Sequence, residues 1–157
     1  MSNFYYMMER ISDTREKKLA SSFEERSVWI QLIVMSLVMG GYFVDAWRMF
    51  SKKITWLPAY AFVFGLAVVL MVIFMIAGHV AVAIANRPEG RDERDRLIRW
   101  KAESRSRWVL ASGVFIGIEG MVISLPGVLI AHLLLLSLFL SELLKLVLQI
   151  VDYRRGP

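Results

Sequence analysis

Six ionisable residues stand inside long apolar stretches of this sequence, where a charge is costly. They are Asp45, His79, Glu119, His132, Glu142 and Lys145. In membrane interiors such side chains carry protons or bind cations, or they pair with one another and stabilise a helix bundle. They are therefore the candidate functional groups of the chain.

Depth divides these six residues into two sets. At a rise of ~1.5 Å per residue, His79, Glu119, Glu142 and Lys145 form an inner intramembrane polar cluster, with Glu119 near the midplane. Asp45 and His132 form an outer pair near the opposite boundary. The two sets are separated by roughly 10 Å of depth, and apart from the hydroxyl of Tyr42 only Ser, Gly and apolar side chains are available there. We therefore expect no ion path across the membrane.

The last apolar run carries a polar stripe. Glu142, Lys145, Gln149 and Asp152 recur at steps of three, four and three, which places them on one face of a helix. Glu142 and Lys145 can neutralise each other at this spacing. Three interpretations are open: a structural pair with Lys145 reaching toward the headgroups, a proton or cation path shared with Glu119 and His79, or a site for a regulatory partner.

A glycine stripe marks the third apolar run. Gly113, Gly117 and Gly120 step by four and three along one side. Small residues let helix backbones approach closely in lipid, so the stripe predicts helix packing, with a ligand groove as the alternative.

Other site chemistries find little support in the sequence. The chain has no cysteine, and its two histidines fall near opposite boundaries, where they cannot share one ion. No phosphate-binding loop, nucleophile elbow or HExxH motif occurs. We expect no metal, no cofactor and no enzymatic activity.

Composition and run length define the fold class. Of 157 residues, 57% are hydrophobic, and the mean hydropathy is +0.52. The apolar residues form four runs, 28–50, 57–85, 108–125 and 128–151, each near the ~20 residues that cross a bilayer. The sequence predicts an all-α polytopic membrane protein with four transmembrane helices, the last two joined by a tight turn at Pro126 and Gly127.

Lysine and arginine are unevenly distributed. Fifteen lie in residues 1–27, 86–107 and 152–157, against three on the other side, Arg48 at the end of the first run and Lys52 and Lys53 in the connection after it. Cytoplasmic connections carry the excess, so both termini and the middle connection are predicted to be cytoplasmic. The net charge of +5 then indicates topology and contact with anionic lipid, and nucleic acid is not an expected partner.

Two segments outside the runs are predicted to be helical. Ser21 or Ser22 followed by Glu24 or Glu25 resembles a capping box, which would begin the first helix there. In the basic connection 86–107, Asp92 is a possible helix cap, and acidic residues stand four positions before basic ones, as at Glu103 and Arg107. The third transmembrane helix is therefore expected to extend into the cytoplasm.

Three motifs carry a family resemblance. FEERSVWIQLIVMSLVMGGYF, DERDRLIRWKA and SELLKLVLQIVDYRRG together resemble a family of small bacterial four-helix membrane proteins of unknown function, over about residues 23–156. The resemblance implies a bacterial inner-membrane protein, with an accessory or regulatory role. The family offers no ligand or catalytic residue to carry over.

Three function classes remain open. The first is an accessory, regulatory or immunity-type membrane protein acting through protein or lipid contacts, as a homo-oligomer or with a membrane protein partner. The second is a small oligomeric transporter or channel that uses the buried acidic residues. The third is a structural subunit of a larger membrane complex. The few polar groups can pair, and no run is broken at mid-membrane, which favours the first and third classes.

Overall fold

The structure is a computed structural model that describes residues 2–85 and 93–155. Four helices follow one another: α1 (Ser2–Ser51), α2 (Leu57–Ala85), α3 (Glu93–Val122) and α4 (Gly127–Arg155). Within the described ranges there is no strand, so the predicted all-α class is confirmed.

Three of the helices are long and apolar enough to cross a membrane, over Glu24–Ser51, Leu57–Ile84 and Gly127–Arg155. A helix is favoured there because it satisfies its own backbone hydrogen bonds, for which hydrocarbon offers no partners. The apolar part of α3 is shorter. It begins at Trp108 and ends with the helix at Val122, and these residues extend only ~22 Å, whereas the hydrocarbon core is ~30 Å thick.

The first helix is longer than the sequence patterns indicate. It starts at Ser2 and continues to Ser51, so the predicted start at Ser21 or Ser22 is wrong. No proline or glycine occurs before Gly40, and nothing in the backbone chemistry ends the helix between its charged first half and its apolar second half. The proposed cap of α3, Asp92, lies outside the described residues.

A tight turn joins α3 to α4. Ser124 adopts a positive φ of 61°, and the amide of Leu125 donates to the carbonyl of Gly120 at 2.9 Å. Past the turn, the carbonyl of Pro126 accepts from the amide of Leu129 at 2.8 Å and so closes the first turn of α4. The two helices are therefore antiparallel neighbours.

The helices pack in the order α2, α1, α4, α3, with α1 in contact with both α2 and α4. The main core lies between α1, α2 and α4 and contains Met39, Tyr42, Ala46, Tyr60, Ala67, Val128 and Phe139. A smaller cluster of Val28, Leu146 and Ile150 joins α1 to α4 near the other end. The outer face of α2 stays exposed, as at Ile84, which suits a helix surrounded by lipid.

Candidate functional site

The charge pair of α4 lies beside the charged half of α3. Lys145 Nζ donates to Glu142 Oε2 one turn away, and the two side chains are 23% and 40% exposed, so the pair is partly solvated. On α3, Arg107 donates to Glu103 at 2.8 Å. This hydrogen bond and the guanidinium charge lower the pKa of Glu103, and the charge of Lys145 adds to the effect. We name these four residues the α3–α4 charge layer.

A buried hydrogen bond between α4 and α3 fixes the position of this charge layer along the two helices. Ser141 Oγ donates to the carbonyl of Ser106 at 2.9 Å, and both serines are buried. Because Ser141 lies beside Ser106, Glu142 and Lys145 lie level with the charged half of α3 and not with its apolar half. Two charges are thereby tolerated inside an apolar run, since they pair with each other beside the charged half of the neighbouring helix.

His79 holds α2 against α1. Its Nδ1 lies 2.8 Å from the carbonyl of Met75, which can only accept, so Nδ1 is the donor. Nε2 of the neutral ring then accepts from Ser27 Oγ and Gln31 Nε2, each at 3.1 Å. Within the described residues these are the hydrogen bonds of the ring, and none of them involves Glu142 or Lys145.

Glu119 faces away from the rest of the bundle. Gly117 and Gly120, on either side of it, are buried against α4, whereas Glu119 is exposed. Its neighbours on the same face are Phe115 and Val122, which are 70% and 79% exposed. No side chain of the described chain pairs with its carboxylate. The structure therefore does not bring the predicted cluster of His79, Glu119, Glu142 and Lys145 together.

The predicted outer pair is also separated. Asp45 forms an exposed ion pair with Arg48 at 3.1 Å. His132 instead accepts at Nε2 from the hydroxyl of Tyr42 at 3.0 Å, while its Nδ1 donates to the carbonyl of Val128 at 2.7 Å. The ring of Tyr60 meets His132 edge-on, with 4.9 Å between centroids. His132 thus links α4 to α1 and α2.

A small apolar cavity of about 120 Å³ opens beside His132. It is lined by Phe43, Ala46, Trp47, Phe50, Tyr60, Val128, Leu129 and His132. The lining presents almost no polar surface, so the cavity suits an apolar group such as a lipid chain and offers no partner for a charged one.

The glycine stripe of α3 lies at the contact with α4. A Cβ on Gly113 would overlap the Cβ and Oγ of Ser137, and a Cβ on Gly117 would lie 2.9 Å from Leu134 Cδ2. At Gly120 the nearest atom would be Leu125 Cδ1 at 3.2 Å. Helices α3 and α4 therefore approach each other most closely at Gly113, and the distance between them increases toward the turn.

Ion pairs join α1 to the charged ends of α3 and α4. Glu24 lies 3.5 Å from Arg99 of α3, and Glu25 lies 3.5 Å from Arg154 of α4. The guanidinium of Arg154 also lies over the ring of Trp29, 5.4 Å from its centroid. We name this end of the bundle, which contains Glu24, Arg99 and Arg154, the charged end.

Tyr153, beyond the apolar run of α4, adds a further contact at the charged end. Burial raises the pKa of its hydroxyl, and the nearby carboxylate of Asp95 raises it further. The hydroxyl stays protonated at neutral pH and lies near Asp95, which is itself buried. The charged half of α3 is thereby fixed to the end of α4.

The partners of the candidate residues were not foreseen from the sequence. Ser27 and Gln31 are 52 and 48 residues from His79, and Tyr42 is 90 residues from His132. Gln31 is an amide within an apolar run, and this is the sequence feature that indicates a hydrogen-bond partner for a buried polar group. In the part of the chain that the structure describes, no three His, Asp or Glu side chains converge on a metal-binding position.

Comparison with known proteins adds no assignment. No family model matches the chain, and no curated protein or solved structure is significantly similar to it. The resemblance to small bacterial four-helix membrane proteins therefore stays a prediction.

Proposed function

We propose that this chain is a four-span protein of the bacterial inner membrane that acts as an accessory or regulatory protein by binding a protein partner at the charged half of α3. The supporting observation is the rigid attachment of this charged helical surface to the membrane bundle. Arg99 pairs with Glu24, and the buried Asp95 lies near Tyr153, so a partner would meet a preformed surface and lose little entropy in ordering it.

The fourth span is supported by the hairpin of α3 and α4. The turn at 123–126 places both helices on the same side of the turn, and the glycine face of α3 packs along α4. If α4 crosses the membrane, α3 returns beside it. The excess of positive charge in residues 1–27, 86–107 and 152–157 supports a cytoplasmic location for both termini. An alkaline phosphatase fusion after Gly156 should be inactive, and an active fusion would overturn this orientation.

The outward face of α3 has the features of a partner site. Trp100 is 67% exposed and lines an open groove of about 640 Å³ with Glu93, Asp95, Arg96, Leu97, Arg99 and Glu103. Exposed tryptophan surrounded by charges of both signs is typical of sites where a few residues dominate binding. The transporter alternative is less well supported, because Glu119 faces away from both His79 and the α3–α4 charge layer.

A photo-crosslinking experiment tests the proposal. A benzophenone amino acid replaces Trp100 in one variant and Trp56 in a control, and these tryptophans are 67% and 68% exposed. In native membranes we expect a discrete protein crosslink from position 100 and none from position 56. Equal crosslinking at both positions, or only lipid adducts at position 100, would contradict the proposal. The structural-subunit alternative predicts a stoichiometric crosslink that persists under all growth conditions.

A further inference from the structure

On one side of the bundle the apolar surface reaches far toward the charged end. His79 bonds to Ser27 and Gln31, so α1 and α2 are level there. No Asp, Glu, Lys or Arg occurs in residues 28–44 of α1 or 57–85 of α2. Ile33 and Ile76 are exposed on this side, at 51% and 60%. Hydrocarbon is therefore expected to cover these helices down to about the level of Ser27.

On the other side of the bundle, along α3, charged residues extend further from the charged end and the apolar surface begins deeper. Val28 of α1 packs against Leu146 and Ile150 of α4. On either side of this contact α4 meets α3: Ser141 donates a hydrogen bond to the carbonyl of Ser106, and Tyr153 lies near Asp95. Arg99 of α3 pairs with Glu24, four residues before Val28, so about residues 101–106 of α3 are level with the apolar stretch of α1 that starts at Val28. This segment carries three charged residues, Lys101, Glu103 and Arg105.

The edge of the apolar surface is consequently at two different depths: it lies nearer the charged end on α1 and α2 than on α3. On α3 it starts at Trp108, about seven residues past the level of Val28, and so ~10 Å deeper than on α1 and α2 at a rise of ~1.5 Å per residue. A flat bilayer would either immerse the charges of α3 or leave apolar surface of α1 and α2 in water. Deforming the lipid is the cheaper solution, since thinning costs little per ångström whereas a buried charge is expensive.

We propose that the leaflet at the charged end is thinned along α3, and that anionic phospholipid headgroups enter a basic groove on this helix. The groove has a volume of about 420 Å³ and is lined by Glu93, Arg94, Leu97, Ile98, Lys101, Arg105 and Asp152. Lys101 and Arg105 follow Arg94 at steps of seven and four, so the three cations share one side of α3.

Charge complementarity identifies the occupant. Within the described residues, Arg94, Lys101 and Arg105 have no carboxylate partner, and all three are exposed. Glu93 and Asp152 also line the groove, which leaves one positive charge in excess, matching a phosphodiester monoanion. The partly exposed Leu97 gives the glycerol and acyl portions an apolar contact. Lipid binding in this groove does not require the protein partner proposed above. Purified protein in lipid therefore tests it separately.

Spin labelling measures the step directly, and the absence of cysteine from the chain allows single labels without background. Ser104→Cys, in the charged half of α3, is compared with Ile76→Cys, which is exposed at about the same level on α2. In vesicles of phosphatidylglycerol and phosphatidylethanolamine, the label at 104 should meet a water-soluble nickel reagent and the label at 76 mainly oxygen. A hydrocarbon environment at both positions would overturn the proposal, and so would exclusion of both reagents at 104, which would show that a second copy covers it.

Lipid retention tests the groove itself. In native mass spectra of the detergent-solubilised protein, added phosphatidylglycerol should be retained in preference to phosphatidylcholine. Changing Arg94, Lys101 and Arg105 to Gln should weaken this retention by roughly fivefold for each cation removed. The control variant changes Arg48, Lys52 and Lys53 to Gln at the opposite end. Equal loss in both variants, or no preference for the anionic lipid, would refute binding in the groove.

Discussion

Replacing Gly113 by alanine should destabilise the protein through a single close contact. A Cβ at this position would approach Ser137 Cβ and Oγ to less than 3.0 Å, a distance that real Cβ atoms essentially never show. Serine Cβ is fixed to the backbone of α4, so relief requires α3 and α4 to separate. Overpacking of this kind costs about 1–3 kcal/mol. Alanine also gains about 1 kcal/mol of helix propensity over glycine, which must be subtracted.

A matched control removes the propensity contribution. Gly65 lies within the apolar helix α2, and a Cβ there would meet nothing within 4 Å. Gly65→Ala therefore gains the propensity without the overlap, and Gly113→Ala should be less stable than Gly65→Ala by about 1–3 kcal/mol. Gly117→Ala should fall between them, because the neighbour at 2.9 Å is the flexible end of Leu134.

Unfolding in mixed detergent micelles, followed by circular dichroism, gives these free energies. The double variant Gly113→Ala, Ser137→Gly should recover most of the loss, because it returns the volume that the new methyl group occupies. Equal stability of Gly113→Ala and Gly65→Ala would refute the reasoning, and so would a double variant that is less stable than the sum of its single changes.

Three further outcomes are expected. Glu142→Gln and Lys145→Met should each lose up to about 1 kcal/mol of thermal stability, and the double change should lose less than their sum; fully additive losses would show that the pair is not coupled. Tyr42→Phe should cost about 1–3 kcal/mol in the same assay, because it leaves Nε2 of His132 without its donor, and wild-type stability would contradict this. Liposomes containing the purified protein and a pH-sensitive dye should show no proton flux under an imposed potential, and flux that disappears in Glu142→Gln would instead support a transporter.

Local chemistry decided the elements of this protein. Uninterrupted apolar runs predict helices because hydrocarbon leaves the backbone no other partner, and the bounds of the second run, 57–85, coincide with those of α2. The turn between α3 and α4 is likewise readable, since Pro126 and Gly127 act within a few residues. The capping-box pattern at Ser21 or Ser22 does not begin α1, because the same pattern can occur inside a continuous helix, where its side chains need not cap anything.

Tertiary structure alone decided which polar side chains meet. Depth along each helix suggested that Glu119 belongs with Glu142, but depth contains no information about rotation, and the glycine face turned Glu119 outward. His132 forms a hydrogen bond with Tyr42 of α1, whereas Asp45 pairs with Arg48 one turn away on its own helix. The relative level of the helices was equally hidden: the contact between Ser106 and Ser141 places the charges of α4 beside those of α3. A sequence specifies the periodicity of each helix, whereas the register between helices depends on packing between residues far apart in the chain.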